Sequence, residues 1–233
     1  MNDTAAQAFL EGKIILIDKD LDWTSFDVVN KLRIELRNQL GIKKIKVGHT
    51  GTLDPLATGL VILCAGKATK KIESFMGLDK EYIAEITIGA TTPSYDLETG
   101  IEATLPFEHV TRKQLESVLN TFRGEIEQTP PNYSAKQVDG KRAYDMARQG
   151  ESFKLKKNLV TIHELELLEF SPPEIRLQIR CSKGTYIRSL ANDIGEKLGT
   201  GAYLSALRRT KIGDYHLNDA EKIADFTKNL KPL

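Results

Sequence analysis

Twelve residues restrict what this chain can fold into more than any others: Gly48-His49-Thr50-Gly51-Thr52-Leu53-Asp54-Pro55-Leu56-Ala57-Thr58-Gly59. Three glycines, three threonines and a proline leave neither a helical nor a strand period, and the segment runs directly into the apolar block Leu60-Val61-Ile62-Leu63-Cys64. That combination reads as a shaped loop feeding a buried strand. Pro55 pushes Asp54 out of the helical region, and the glycines allow close approaches that a side chain would forbid. One carboxylate is thereby presented from a stiff turn. An isolated Asp-Pro is usually no more than a turn, but His49 and three hydroxyls accompany this one, and such loops on rigid scaffolds carry binding and catalytic groups.

Around this loop the chain has an ordinary globular composition, with 40% hydrophobic and 28% charged residues in 233. That suffices for a sizeable core without staples, in a single domain spanning 1–233. Cys64 and Cys181 stand in strand-like contexts with no CxxC pair or Cys/His grouping. Free thiols, a reducing compartment and no metal site follow as expectations. No stretch has membrane-spanning length and the first twelve residues lack a signal pattern, so the expectation is a cytoplasmic protein with no membrane partner and a monomer by default. The net charge of +1 is uninformative, but its distribution is not: Lys43, Lys44 and Lys46 precede the loop, and Lys67, Lys70 and Lys71 follow its strand. Further clusters are Lys141 with Arg142, Lys154 with Lys156 and Lys157, and Arg208 with Arg209 and Lys211. Basic groups bracketing a loop suggest a polyanion lying over it.

Periodicity supplies the remaining elements. Lys13 to Lys19 reads as a buried strand, and a helix capped by Thr24 or Ser25 carries Val28, Val29, Leu32, Leu36 and Leu40 on one stripe before Gly41 ends it. Gly66-Lys67-Ala68-Thr69 is not a phosphate loop, since Val61 stands where the pattern needs glycine and Ala68 where it needs Ser or Thr; it opens a helix through Phe75. Lys80 to Gly89 alternates as a long strand with Tyr82, Ala84, Ile86 and Ile88 on one face. Residues 90–108 form an acidic, turn-rich excursion, Thr111 to Phe122 a capped helix, and Gln128 to Lys136 an extended segment whose prolines bar a ladder. Lys141 to Gln149 is a short helix, and Leu159 to Phe170 with Glu174 to Ser182 a hairpin around Ser171-Pro172-Pro173. Thr185 is placed to cap a helix to Leu198. Arg188 in its first turn opposes the helix dipole and so calls for an anion, with Asp54 the candidate. Leu204 to Lys211 is a last core element with a basic edge, followed by a strand and short helix. Strands and helices without strict alternation give an α+β class with a mixed, mostly antiparallel central sheet and flanking helices.

Three segments now carry a likeness. The loop from Gly48 to Gly59, Lys80-Glu81-Tyr82, and Cys181-Ser182-Lys183-Gly184-Thr185-Tyr186-Ile187-Arg188 resemble, in order and spacing, the signatures of the TruB family of tRNA pseudouridine synthases. Thr121-Phe122-Arg123-Gly124, Pro131-Asn132-Tyr133-Ser134-Ala135-Lys136 and Tyr144-Asp145-Met146-Ala147-Arg148-Gln149-Gly150 match as well, so the resemblance covers about residues 13–212. It implies a pseudouridine synthase cleft that isomerises uridine 55 in the T arm of tRNA with no metal or organic cofactor. Asp54 would be the nucleophile, Tyr82 the aromatic packed on the base, and Arg188 the partner of the Asp54 carboxylate. His49 would lie against the flipped-out nucleotides, and Tyr186 and Leu207 would complete the uridine pocket. Where the family has Lys-Pro followed by a glycine two residues on, this chain has Lys19-Asp20-Leu21-Asp22. Residues 213–233 are too few for the PUA domain many relatives carry, so RNA affinity would rest on the basic clusters.

The chemistry agrees with those residue types. Pseudouridine formation breaks the bond from ribose to N1, turns the ring and rejoins it through C5, which needs a carboxylate and a base for the C5 proton. Addition of Asp54 to the ring, attack on the sugar and removal of a ribose proton all fit. An everted uridine loses its stacking, and an aromatic such as Tyr82 replaces it. A nearby arginine keeps a desolvated carboxylate ionised. Two other readings share the basic clusters: an RNA-binding or tRNA-folding module without chemistry, which gives no reason for Asp54 and Arg188 to occur together, and a guide-dependent enzyme for another RNA.

Overall fold

The computed structural model describes residues 3–138 and 140–230. In chain order the principal elements are α1 (Asp3–Gly12), β1 (Lys13–Lys19), α2 (Ser25–Leu40), β2 (Val47–His49), β3 (Ala57–Ala65), α3 (Ile72–Met76), β4 (Lys80–Ile88), α4 (Arg112–Asn120), β5 (Gly124–Gln128), α5 (Ala143–Arg148), β6 (Asn158–Ser171), β7 (Glu174–Cys181), α6 (Ile187–Leu198), β8 (Ala202–Ile212), β9 (Glu221–Lys222) and α7 (Ile223–Lys228). They fall into two compact units, one running to Glu81 and resuming at Arg208, the other Tyr82–Leu207. The last three residues of the expected C-terminal segment lie outside the described residues.

In the first unit β3 pairs antiparallel with β1, from Lys13↔Ala65 to Lys19↔Gly59, and with β2 through His49↔Leu63, while β9 joins β1 in parallel. Six successive residues, Leu60 to Ala65, are wholly buried, as expected of an uninterrupted apolar run covered on both faces. Leu60, Ile62 and Cys64 meet Ala68, Phe75 and Ile212 in one cluster, where the Phe75 and Tyr215 rings cross edge to face at 5.6 Å. Gly66-Lys67-Ala68-Thr69 opens a 3-10 turn leading to α3. Helix α2 follows its sequence closely: the six buried residues are Ser25 and the five of the apolar stripe, and off-stripe Ile34 is exposed. Thr24 caps it in a capping box with Asp27, and Gly41 closes it in the left-handed conformation at φ 65°.

The second unit orders its strands β4-β7-β6-β5. Both the β6–β7 hairpin and the β5–β6 ladder are antiparallel. Tyr82, Ala84, Ile86 and Ile88 form the buried row of β4 that alternation implies. Helix α4 is capped by Thr111 in a box with Gln114 and buries Leu115 and Leu119. The α+β class with mostly antiparallel pairing and flanking helices is as expected. Both cysteines are buried and free. Among the described residues no helix is long and apolar enough to cross a membrane.

Two expectations are corrected. Helix α6 begins at Ile187 with Tyr186 as its cap residue, and the Thr185 hydroxyl donates instead to the Ser182 carbonyl (2.9 Å). Arg209 is not part of a basic edge but 1% exposed. Beyond the elements that periodicity marks stand β5 and α1: β5 is held by its backbone ladder to β6, and among its described side chains α1 buries Ala5 and Phe9.

Candidate active site

The Asp54 loop belongs to the first unit and is fixed from four directions. Thr50 N–H extends the β2 ladder to the Ile62 carbonyl (3.1 Å). Asp54-Pro55-Leu56-Ala57 closes a turn through Ala57 N–H to the Asp54 carbonyl (3.0 Å), with Pro at the second position, where its fixed φ suits the turn. Ser25, buried at the start of α2, takes the Leu53 N–H on its hydroxyl oxygen (2.9 Å) and donates to the Leu53 carbonyl (3.4 Å). Arg209 donates from Nε to the Leu60 carbonyl (2.7 Å) and from Nη2 to the Gly51 carbonyl (3.2 Å). A fully buried guanidinium is tolerable only where carbonyls such as these satisfy it.

The turn without Pro or Gly also grips this loop. Asp22 takes the left-handed conformation at φ 63°, the region where the family's glycine would be unstrained and where aspartate is among the few other residues tolerated. Its N–H donates to the Pro55 carbonyl (2.9 Å). Lys19, 0% exposed, donates from Nζ to the carbonyls of Asp20 (2.9 Å), Trp23 (2.5 Å) and Pro55 (3.3 Å). Burial pushes the Lys19 ammonium down to about 8, against the opposing pull of the Asp54, Asp20 and Asp22 carboxylates. Lys19 thus ties the turn at Asp20 and Trp23 to the loop at Pro55 and sets a cation beside Asp54. Lys19→Met strips a donor from three carbonyls, at about 1–3 kcal/mol. We expect a lowered melting temperature and a roughly tenfold fall in kcat from a loosened loop; unchanged steady-state kinetics would contradict it.

His49 leaves β2 half-buried, with Nδ1 accepting the Gly51 N–H (3.4 Å), which leaves Nε2 to carry the proton of the neutral ring. Burial first, and the Arg209 charge second, hold its pKa below 6.5. The folded state therefore binds fewer protons than the unfolded chain as pH falls through about 6.5, so stability is lost on acidification, by at most about 1.4 kcal/mol per pH unit from this group. Urea unfolding at pH 7.5 and 5.5 should show a smaller acid-induced loss in His49→Gln than in the native protein; an equal loss would count against it.

In the second unit, Tyr82 is 8% exposed at the start of the buried β4 row, and Leu207 is half-buried on β8. Tyr186 is clamped by Gln128, whose Oε1 accepts the Tyr186 N–H (2.8 Å) and whose Nε2 donates to its carbonyl (3.0 Å). Arg188 follows two residues later, 5% exposed, with Nη2 on the Tyr133 carbonyl (2.9 Å) and Nη1 on the Ser94 carbonyl (3.3 Å). Nη1 also faces the carboxylate of Asp96 (3.5 Å), itself 4% exposed. Within this unit, then, the first-turn cation has its anion in the acidic excursion, a residue the sequence reading passed over. Thr92 and Ser94 hydroxyls hold the Asp96 carbonyl (2.7 and 3.2 Å), and Tyr95 beside it has φ 63°. The structure thus gathers His49, Asp54, Lys19 and the unforeseen Ser25 and Arg209 in one unit, and Tyr82, Tyr186, Arg188, Leu207 and the unforeseen Asp96 and Gln128 in the other. Among the described residues no group of three or more His, Cys, Asp or Glu side chains could hold a metal ion.

Residues 37–187 match the family described as TruB family pseudouridylate synthase (N terminal domain), and residues 188–231 match the tRNA pseudouridylate synthase B C-terminal domain. This chain belongs to the TruB family. Relatives named tRNA pseudouridine synthase B include one from Phocaeicola vulgatus, 57% identical over 94% of this chain and 93% of its own length, and one from Flavobacterium johnsoniae, 51% identical over 97% and 99%. Among solved structures, a chain of a Cbf5-Nop10-Gar1 complex superposes with a TM-score of 0.72 at 25% identity. The match covers 96% of this chain and spans 56% of that one. The resemblance drawn from the loop, the Lys80-Glu81-Tyr82 segment and the Cys181 to Arg188 segment is therefore borne out.

Proposed function

We propose that this TruB-family enzyme isomerises uridine 55 in the T arm of tRNA to pseudouridine in the cytoplasm, as a monomer, with Asp54 as nucleophile. The observation that carries the reading is the Asp54 loop, held by Ser25, Lys19, Asp22 and Arg209 with a density of hydrogen bonds that a merely connecting turn does not need. A carboxylate carried on a backbone fixed in this way suits a bond-breaking step that needs a positioned anion. Tyr82 stacks on the everted base, Arg188 is the partner of the Asp54 carboxylate, His49 lies against the displaced nucleotides, and Tyr186 and Leu207 line the uridine pocket. The chemistry needs no metal or organic cofactor, because the electrons that leave with N1 return through C5 and only the C5 proton changes hands.

The relatives named tRNA pseudouridine synthase B support tRNA as substrate. Incubation with an unmodified T-arm transcript, followed by cyanoethylation and mass spectrometry, should place one pseudouridine at position 55 without guide RNA. An unmodified product would overturn the reading in favour of a binding module, and a guide requirement would overturn it in favour of a different RNA substrate.

A further inference from the structure

The C-terminal half of α2 and the segment after it enclose a groove of about 610 Å³ lined by Arg33, Ile34, Arg37, Ile42, Lys43, Lys44, Ile45 and Lys46. Five of the eight are cations and the other three isoleucines, in a chain whose net charge is only +1. Elsewhere in the same unit cations face carboxylates: Lys31 on Glu35, Lys67 on Glu11, Arg208 on Asp18, Lys211 on Glu81 and Lys222 on Asp20. Among the described residues none of the five groove cations has an acidic partner. Arg33 is tied to the Asn30 amide oxygen and the Val47 carbonyl (2.8 Å), which braces one wall against β2. Of the isoleucines only Ile42 is buried; Ile34 is exposed and Ile45 half-buried, so the groove joins apolar surface to exposed Arg37, Lys43, Lys44 and Lys46.

We propose that this groove is a binding site for the phosphodiester backbone of the RNA substrate, separate from the residues that handle the uridine. The inference rests on the RNA-modifying reading above and adds where the polyanion is held. Its position follows from the chain: Lys46 precedes β2, and His49 ends it three residues later, about 10 Å along a strand. RNA delivering a nucleotide to the His49 and Asp54 loop therefore carries its flanking phosphates past the groove. Contacts of this kind position without reading sequence, and each neutralised phosphate releases counterions.

The test compares Arg37→Gln/Lys43→Gln/Lys44→Gln with Arg112→Gln/Lys113→Gln/Arg176→Gln, which removes three exposed charges from the second unit. For each, the Kd for a T-arm hairpin is measured from 50 to 200 mM salt beside KM and kcat. The groove variant should weaken binding and raise KM about tenfold, flatten the slope of log K against log salt by about 2, and change kcat less than about twofold. The comparison variant should match the native protein. Unchanged Kd and salt slope in the groove variant, or an equal loss in the comparison variant, would overturn the proposal. Native protein that binds the hairpin with a groove-dependent slope yet forms no pseudouridine would sink the catalytic reading while sparing the groove.

Discussion

Asp54→Asn is expected to lower single-turnover pseudouridine formation by at least about 10³-fold, roughly 4 kcal/mol of transition-state stabilisation, with little change in RNA affinity. Asparagine keeps the shape of the side chain, so the turn closed by Ala57 N–H on the Asp54 carbonyl and the backbone bonds from Ser25 and Lys19 all survive, since none of them uses the carboxylate. What disappears is the negative charge, and with it the nucleophile or base of each route by which the glycosidic bond can be broken. A variant that loses binding as steeply as turnover would show the carboxylate acting in recognition. One that turns over normally would remove Asp54 from the chemistry.

Gly59→Ala should be the most damaging structural substitution near the loop. Gly59 has φ 104°, where an L side chain is strained, and a Cβ built there would lie 2.3 Å from the Arg209 carbonyl oxygen and 2.7 Å from its nitrogen. Both are backbone atoms of a strand whose side chain holds Gly51 and Leu60, so relief requires moving the element that braces the loop. Strain and overpacking together amount to about 4 kcal/mol, a large share of a typical 5–15 kcal/mol. Calorimetry should show the melting temperature falling by about 12 °C, whereas a fall under about 2 °C would mean that β3 and β8 separate easily.

The contrast between these positions shows what a linear reading reaches. Helix α2 was legible to its cap because apolar spacing, Thr24 and Gly41 agree, and β3 because five apolar residues follow a glycine. The loop announced itself through composition. What stayed hidden depends on partners distant in the chain: Asp96 looks like one acid among many until Arg188 lies against it, and Gln128 looks like the edge of a proline-rich segment until both ends of its amide meet Tyr186. Arg209 sits in a basic run that suggests solvent, and only the carbonyls of Gly51 and Leu60 explain its burial. Thr185 misled because a hydroxyl before a helix can accept an amide N–H as a cap or donate to a carbonyl, and here it donates to the Ser182 carbonyl.

The most direct measurement follows the hydrogen on C5. A T-arm RNA tritiated at C5 of uridine 55 alone is incubated with excess native protein or Asp54→Asn, and tritium released to water is counted. The native protein should release one tritium per RNA and Asp54→Asn essentially none on the same timescale; release by the variant at the native rate, or none by the native protein, would contradict the assignment of Asp54 to uridine isomerisation.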